Sequence, residues 1–190
     1  MIITITAYKG GVGKTTTAVH LAGCLFSKGT TLVVDGDVNR SVIEWNDSEL
    51  LPFEISDIDN ASLENYDYIV IDTAARPANE DMESLSANSD LIIVPTTPDA
   101  LSLRATIPVI NDLSEANYKV LLTKVPPHPS KAGKEARESL VKANIPVFKT
   151  QIPRLVAFEK AALQGTLVKQ VSDRQSLKAN QAYLNLMEEI

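Results

Sequence analysis

The stretch Lys9-Gly10-Gly11-Val12-Gly13-Lys14-Thr15-Thr16 lies between an aliphatic run, Ile2–Ala7, and a helical pattern over residues 14–28. Glycines allow backbone N–H groups to converge on an anion with no Cβ in the way. A helix starting directly afterwards adds the positive end of its dipole. In such a loop Lys14 reaches the β- and γ-phosphates of a nucleotide and the Thr15 hydroxyl ligates magnesium. Thr16 is placed for the α-phosphate, and Gly10, Gly11, Val12 and Gly13 supply the cradle. The common G-x-x-x-x-G-K-[ST] spacing asks for glycine at position 8, where this chain has Tyr8, and it adds a lysine at position 9.

Outward from the loop, apolar runs alternate with helical patterns. Strands are expected at Ile2–Ala7, Thr31–Asp35, Phe53–Ile55, Tyr68–Asp72, Leu91–Pro95, Val120–Thr123 and Val147–Thr150. Helices are expected over 14–28, 40–46, 79–88, 100–116, 131–143, 154–164 and 173–189. Several strands are continuously Val/Ile-rich, as in strands covered on both faces. The alternation predicts a mostly parallel sheet in a three-layer α/β/α arrangement, one domain over residues 1–190. Tyr68–Asp72 places a carboxylate at the C-terminal edge of a strand, where open α/β sheets bind ligands and where it can hold magnesium through water.

The loop with its extra lysine resembles the ParA/MinD family of deviant Walker ATPases. Val33-Val34-Asp35-Gly36-Asp37 resembles that family's second acidic motif, with Val38 and Asn39 in place of the usual Pro and Gln. Thr73–Pro77 resembles its second switch, Leu91–Pro98 its fourth core strand, and Thr150–Arg154 with Phe158–Ala161 its C-terminal nucleotide-side region. The resemblance implies that Asp37 positions the attacking water and that Asp35 and Asp72, with Thr15, support magnesium. It implies that Thr123, Lys124, Gln151, Ile152 and Pro153 frame adenine. It also implies an ATP-dependent sandwich homodimer, in which Lys9 crosses to the partner's phosphates as an arginine finger does elsewhere.

Composition narrows the class. The 190 residues are 44% hydrophobic and 22% charged, the profile of a globular chain. Met1 runs directly into the first strand, so no leader is expected, and no apolar run reaches the roughly 18–20 residues of a membrane helix. The end of the chain, Tyr183–Ile190, is acidic, unlike the basic amphipathic helix by which the MinD-like branch attaches to membrane. The single Cys24 argues against a cysteine-ligated cluster, and His20 and His128 have no partners for a metal site. A cytoplasmic protein without membrane attachment is expected.

Charge is uneven: residues 1–100 carry 5 Lys/Arg against 16 Asp/Glu, whereas residues 101–190 carry 13 against 8. The ParA branch binds duplex DNA without sequence preference through its basic C-terminal half. Candidates here are Arg154, Lys160, Lys169, Arg174 and Lys178, along with Lys131, Lys134, Arg137 and Lys142. The resulting expectation is an ATPase that uses ATP and Mg2+, associates with the nucleoid, and positions a plasmid, a chromosome region or a protein assembly such as a carboxysome. A separate adaptor protein would stimulate hydrolysis. The rival readings are a ligase of dethiobiotin synthetase type and an ATP-gated scaffold that does not bind DNA.

Overall fold

The computed structural model describes residues 1–77, 79–113 and 115–190. Six strands form one sheet: β1 (Ile2–Ala7), β2 (Thr31–Gly36), β3 (Glu54–Asp57), β4 (Tyr68–Ala75), β5 (Leu91–Thr96) and β6 (Tyr118–Leu122). All pair in parallel, in the order β3-β2-β4-β1-β5-β6. Parallel neighbours need crossover connections. Among the described residues these contain α1 (Lys14–Leu25), α2 (Ser41–Trp45), α3 (Asn79–Asn88) and α4 (Ala100–Asp112). After β6 come α5 (Ala132–Lys142), α6 (Val156–Leu163), a 3-10 turn (Val168–Gln170) and α7 (Ser176–Met187).

The two-residue strand period sorts side chains onto two faces. Ile3, Ile5, Val33, Val70, Ile93 and Leu121 enter one core with α1, α6 and α7. Ile92, Val94, Val120 and Leu122 enter the other, with Met82 of α3, Val109 of α4 and Leu140 of α5. This is the expected three-layer α/β/α arrangement. From Thr17 to Leu25, every residue of α1 is buried, so the helix that begins at the phosphate loop is the central element of its layer.

The expected strand at Val147–Thr150 is reduced to an isolated bridge between Val120 and Val147. The amides of Lys149 and Thr150 instead donate to the two oxygens of the Glu189 carboxylate, at 2.8 and 2.7 Å. The chain end thus takes the Thr150 amide that a further rung to β6 would have used, and Ile152 N donates to the Leu122 carbonyl at 2.9 Å in its place. Among the described residues no helix is long and apolar enough to cross a membrane.

Strand order fixes the place of the site. β1 lies between β4 and β5, and the connection from β4 to β5 passes from one side of it to the other. The C-terminal ends of these three strands flank the crevice where doubly wound sheets take their ligands.

Candidate functional site

The loop after β1 is shaped by its glycines. Gly11 has φ 74° and Gly13 has φ 93°, in the left-handed region, and Gly13 is the N-cap of α1. The first bond into the helix runs from the Thr17 amide to the Gly13 carbonyl, at 2.9 Å. The amides of Lys14, Thr15 and Thr16 therefore point out of the helix end, as an anion site requires. Lys14 is only 8% exposed.

Asp72 of β4 faces this loop. It is fully buried, and its Oδ2 accepts a hydrogen bond from Thr15 Oγ1 at 2.6 Å. Its Oδ1 is buried without a partner among the described residues. Burial pushes the carboxyl up to about 7, against the Thr15 hydroxyl and the Lys14 charge, which both favour ionisation. A buried carboxylate oxygen with no donor is costly unless a cation or an ordered water completes it. Thr15 and Asp72 fit magnesium, which takes one or two protein oxygens and fills its octahedron with phosphate and water. Among the described residues no group of three or more His, Cys, Asp or Glu could hold a metal by itself.

Asp35 is in register with Asp72 across β2 and β4, but its carboxylate is engaged elsewhere. Oδ1 accepts from the Asp37 amide at 3.1 Å, and Oδ2 accepts from the amides of Val42 and Ile43 at 2.8 and 3.0 Å. Both oxygens of Asp35 thus meet backbone donors, an arrangement that caps the start of α2 and fixes the loop that carries Asp37. Asp37 is half-buried, and its Oδ1 accepts from the amide and side-chain nitrogen of Asn39, both at 2.9 Å. Val38, between them, is 89% exposed.

Lys9 turns toward the N-terminus of α4. Its Nζ donates to Ser102 Oγ at 2.6 Å and lies 3.6 Å from Asp99 Oδ1. Asp99 is the α4 N-cap and also accepts from the hydroxyls of Thr97 and Ser102. These bonds, with the backbone bond from Ser102 and the Lys9 charge, hold its carboxyl far below the usual range. Neither Asp99 nor Ser102 was legible as a site residue, because an Asp-x-x-Ser helix start is an ordinary cap.

Beside the loop lies a cavity of about 540 Å³, lined by Gly13, Thr16, Thr123, Lys124, Ile152 and Pro153 together with Arg154, Phe158 and Tyr183. The size and mixed lining suit a nucleoside. Gln151, expected there, is not in this lining. It borders a neighbouring hollow of about 650 Å³ and donates to the Gly133 carbonyl at 3.3 Å. His20 lies beneath the cavity, 3% exposed and packed against Trp45, Phe158 and Tyr183.

The basic candidates separate. Arg154, Lys169, Arg174 and Lys178 are exposed. Lys160 is paired with Asp173 at 2.7 Å, tying α6 to the segment before α7, which removes it from the set of free cations. Lys134 pairs with Glu138, and Arg137 Nε donates to the Phe148 carbonyl.

The family model described as the CobQ/CobB/MinD/ParA nucleotide binding domain matches residues 3–168. A protein of Gloeobacter kilaueensis named maintenance of carboxysome distribution protein A is 30% identical, with all of this chain and 93% of that protein covered. The fold is similar to a Cyanothece McdA–ATP complex, with TM-score 0.76 and 15% identity over 98% of this chain and 95% of that one. It is also similar to MinD of Pyrococcus horikoshii complexed with Mg-ADP, with TM-score 0.74 and 20% identity over 99% and 94%.

Proposed function

Because the chain belongs to the CobQ/CobB/MinD/ParA nucleotide-binding family, we propose that it is a ParA-like ATPase that hydrolyses ATP to ADP and phosphate. It acts as an ATP-bound homodimer on nonspecific duplex DNA and positions a cargo. The observation that carries the nucleotide part is the Thr15–Asp72 hydrogen bond at the mouth of the glycine loop, with Asp72 Oδ1 left buried and unpartnered.

In this reading the amides of residues 10–16 hold the phosphates, Lys14 neutralises them, and Thr15 and Asp72 orient the magnesium shell. Magnesium, when bound, supplies Lewis-acid charge stabilisation at the γ-phosphate. Asp37 orients the attacking water, using the carboxylate oxygen that Asn39 does not occupy. The base lies in the cavity by Thr123, Lys124, Ile152 and Pro153. Lys9 leaves Ser102 and Asp99 and reaches the partner's phosphates, so that dimerisation follows from ATP and ends with hydrolysis.

Exposed Arg154, Lys169, Arg174 and Lys178 are the candidate phosphate contacts for DNA. A protein-assembly cargo is favoured by the likeness to a carboxysome distribution protein along the whole chain. A separate adaptor stimulates the hydrolysis, and the protein works in the cytoplasm on the nucleoid.

The deciding experiment measures retention on random-sequence duplex DNA with ATP, ADP or no nucleotide across a salt series. Retention with ATP alone, weakening steeply with salt, is expected. Full ATP occupancy with no retention at low salt would replace this reading with an ATP-gated scaffold.

A further inference from the structure

The hydroxyl of Thr123, just beyond β6, makes its shortest contact with the phosphate loop. Thr123 Oγ1 donates to the Val12 carbonyl at 2.6 Å and lies 3.2 Å from the Thr96 carbonyl. The residue is 2% exposed, and its backbone amide is fixed to Thr96 O at 2.8 Å. Among the described residues the only cis peptide bond is His128-Pro129, so the peptide joining Val12 to Gly13 is trans. In a planar trans peptide the carbonyl and the following N–H point in opposite directions. Holding the Val12 carbonyl against Thr123 therefore turns the Gly13 N–H to the other side of the loop, away from β6. Gly13 sits at φ 93° with Thr123 Oγ1 3.9 Å from where its Cβ would be. The orientation of this peptide is thus set jointly by a glycine conformation and by a hydroxyl from a segment more than a hundred residues away.

We propose that Thr123 is a positioning residue for phosphate: through the Val12 carbonyl it aims the Gly13 amide at the phosphate chain of the nucleotide. The inference rests on the nucleotide reading above and assigns Thr123 a role distinct from that of a wall against the base. A base wall contributes equally to adenosine and to ATP. An aimed amide contributes only where there is phosphate, and a hydrogen bond to a charged group is among the stronger ones.

The test compares Thr123→Val, which keeps shape and loses the donor, with Thr123→Ser, which keeps the donor. Affinities for ATP, tripolyphosphate and adenosine are read by displacement of a fluorescent ATP analogue, with thermal melting as a fold check. The valine variant is expected to lose at least tenfold in affinity for ATP and tripolyphosphate while adenosine stays within twofold, and serine restores the phosphate affinity to within about threefold. Equal losses on adenosine and ATP, or no loss on ATP, would overturn the positioning role. If valine prevents folding, Thr123→Ala carries the same expectations. Lys14→Ala is the control that separates the two ideas. Wild-type protein that binds neither ATP nor tripolyphosphate, with Lys14→Ala indistinguishable from it, would defeat the nucleotide reading itself.

Discussion

Lys9 and Asp99 face each other within one chain, 3.6 Å apart, and Ser102 Oγ accepts from the same ammonium at 2.6 Å. The lysine proposed to act on a partner's nucleotide is therefore held in place by its own α4 N-terminus. In the proposed cycle dimerisation would exchange this contact for one across the interface, so the strength of the cis contact would set part of the dimerisation threshold. Asp99→Asn retains an oxygen for the α4 cap and removes the charge. Both side chains are substantially exposed, 41% and 53%, where such pairs contribute about 0–1 kcal/mol. A symmetric dimer exchanges two such contacts, so the ATP-dependent dimer is expected at up to about 30-fold lower protein concentration in sedimentation. Lys9→Ala should bind ATP normally and stay monomeric; a fully dimeric Lys9→Ala protein would refute the trans role.

Lys14→Ala should abolish ATP binding measured by equilibrium dialysis, since Lys14 is the buried cation of the loop. Asp72→Asn should leave nucleotide binding in place while the dependence on magnesium weakens by at least tenfold, because the amide replaces an oxygen of the carboxylate that accepts from Thr15. Unchanged magnesium dependence would exclude Asp72 from the metal shell.

Asp35 and Asp37 stand two residues apart and should behave differently. Asp37→Ala is expected to fold, bind ATP and accumulate as a dimer, with hydrolysis at least a hundredfold slower, on the order of one positioned catalytic group. Asp35→Ala leaves the amides of Asp37, Val42 and Ile43 without their acceptor. It should lower unfolding free energy by roughly 3 kcal/mol in urea titrations, at the level of a buried hydrogen-bonded charge network. Parent-rate hydrolysis in Asp37→Ala would remove it from the water-positioning role.

What could be read ahead of the structure was whatever has a local signature. The phosphate loop follows from the spacing of Gly10, Gly11 and Gly13 before Lys14, and the sheet from seven apolar runs, several of them Val/Ile-rich, of which six form its strands. Asp35 could not be separated from Asp37, because a strand-terminal carboxylate looks the same whether it meets a metal or caps the next helix. The same holds for Lys160, whose partner Asp173 lies in the segment before α7. Thr150 appeared to continue a strand because the competing acceptor, Glu189, is 39 residues away. For Lys160 and Thr150 a contact from a later segment decided between two local readings, whereas for Asp35 it was the fold of the loop directly after it.

His20 gives the pH dependence. Val168 N donates to Nε2 at 3.1 Å, so the ring is neutral with its proton on Nδ1, which donates to the Thr16 carbonyl at 2.9 Å. Burial among Trp45, Phe158 and Tyr183 pushes its pKa down from 6.5 to about 4. A base whose folded pKa is depressed contributes stability that is fully present above its unfolded value and is lost as pH falls from about 6.5 toward 4. The shift corresponds to about 3 kcal/mol over that window. Urea titrations at pH 7.5, 6, 5 and 4.5 should therefore show the wild type losing stability more steeply than His20→Gln, which is weaker at pH 7.5 yet lacks the titrating ring. Parallel curves for the two proteins would mean that protonation elsewhere drives the acid transition.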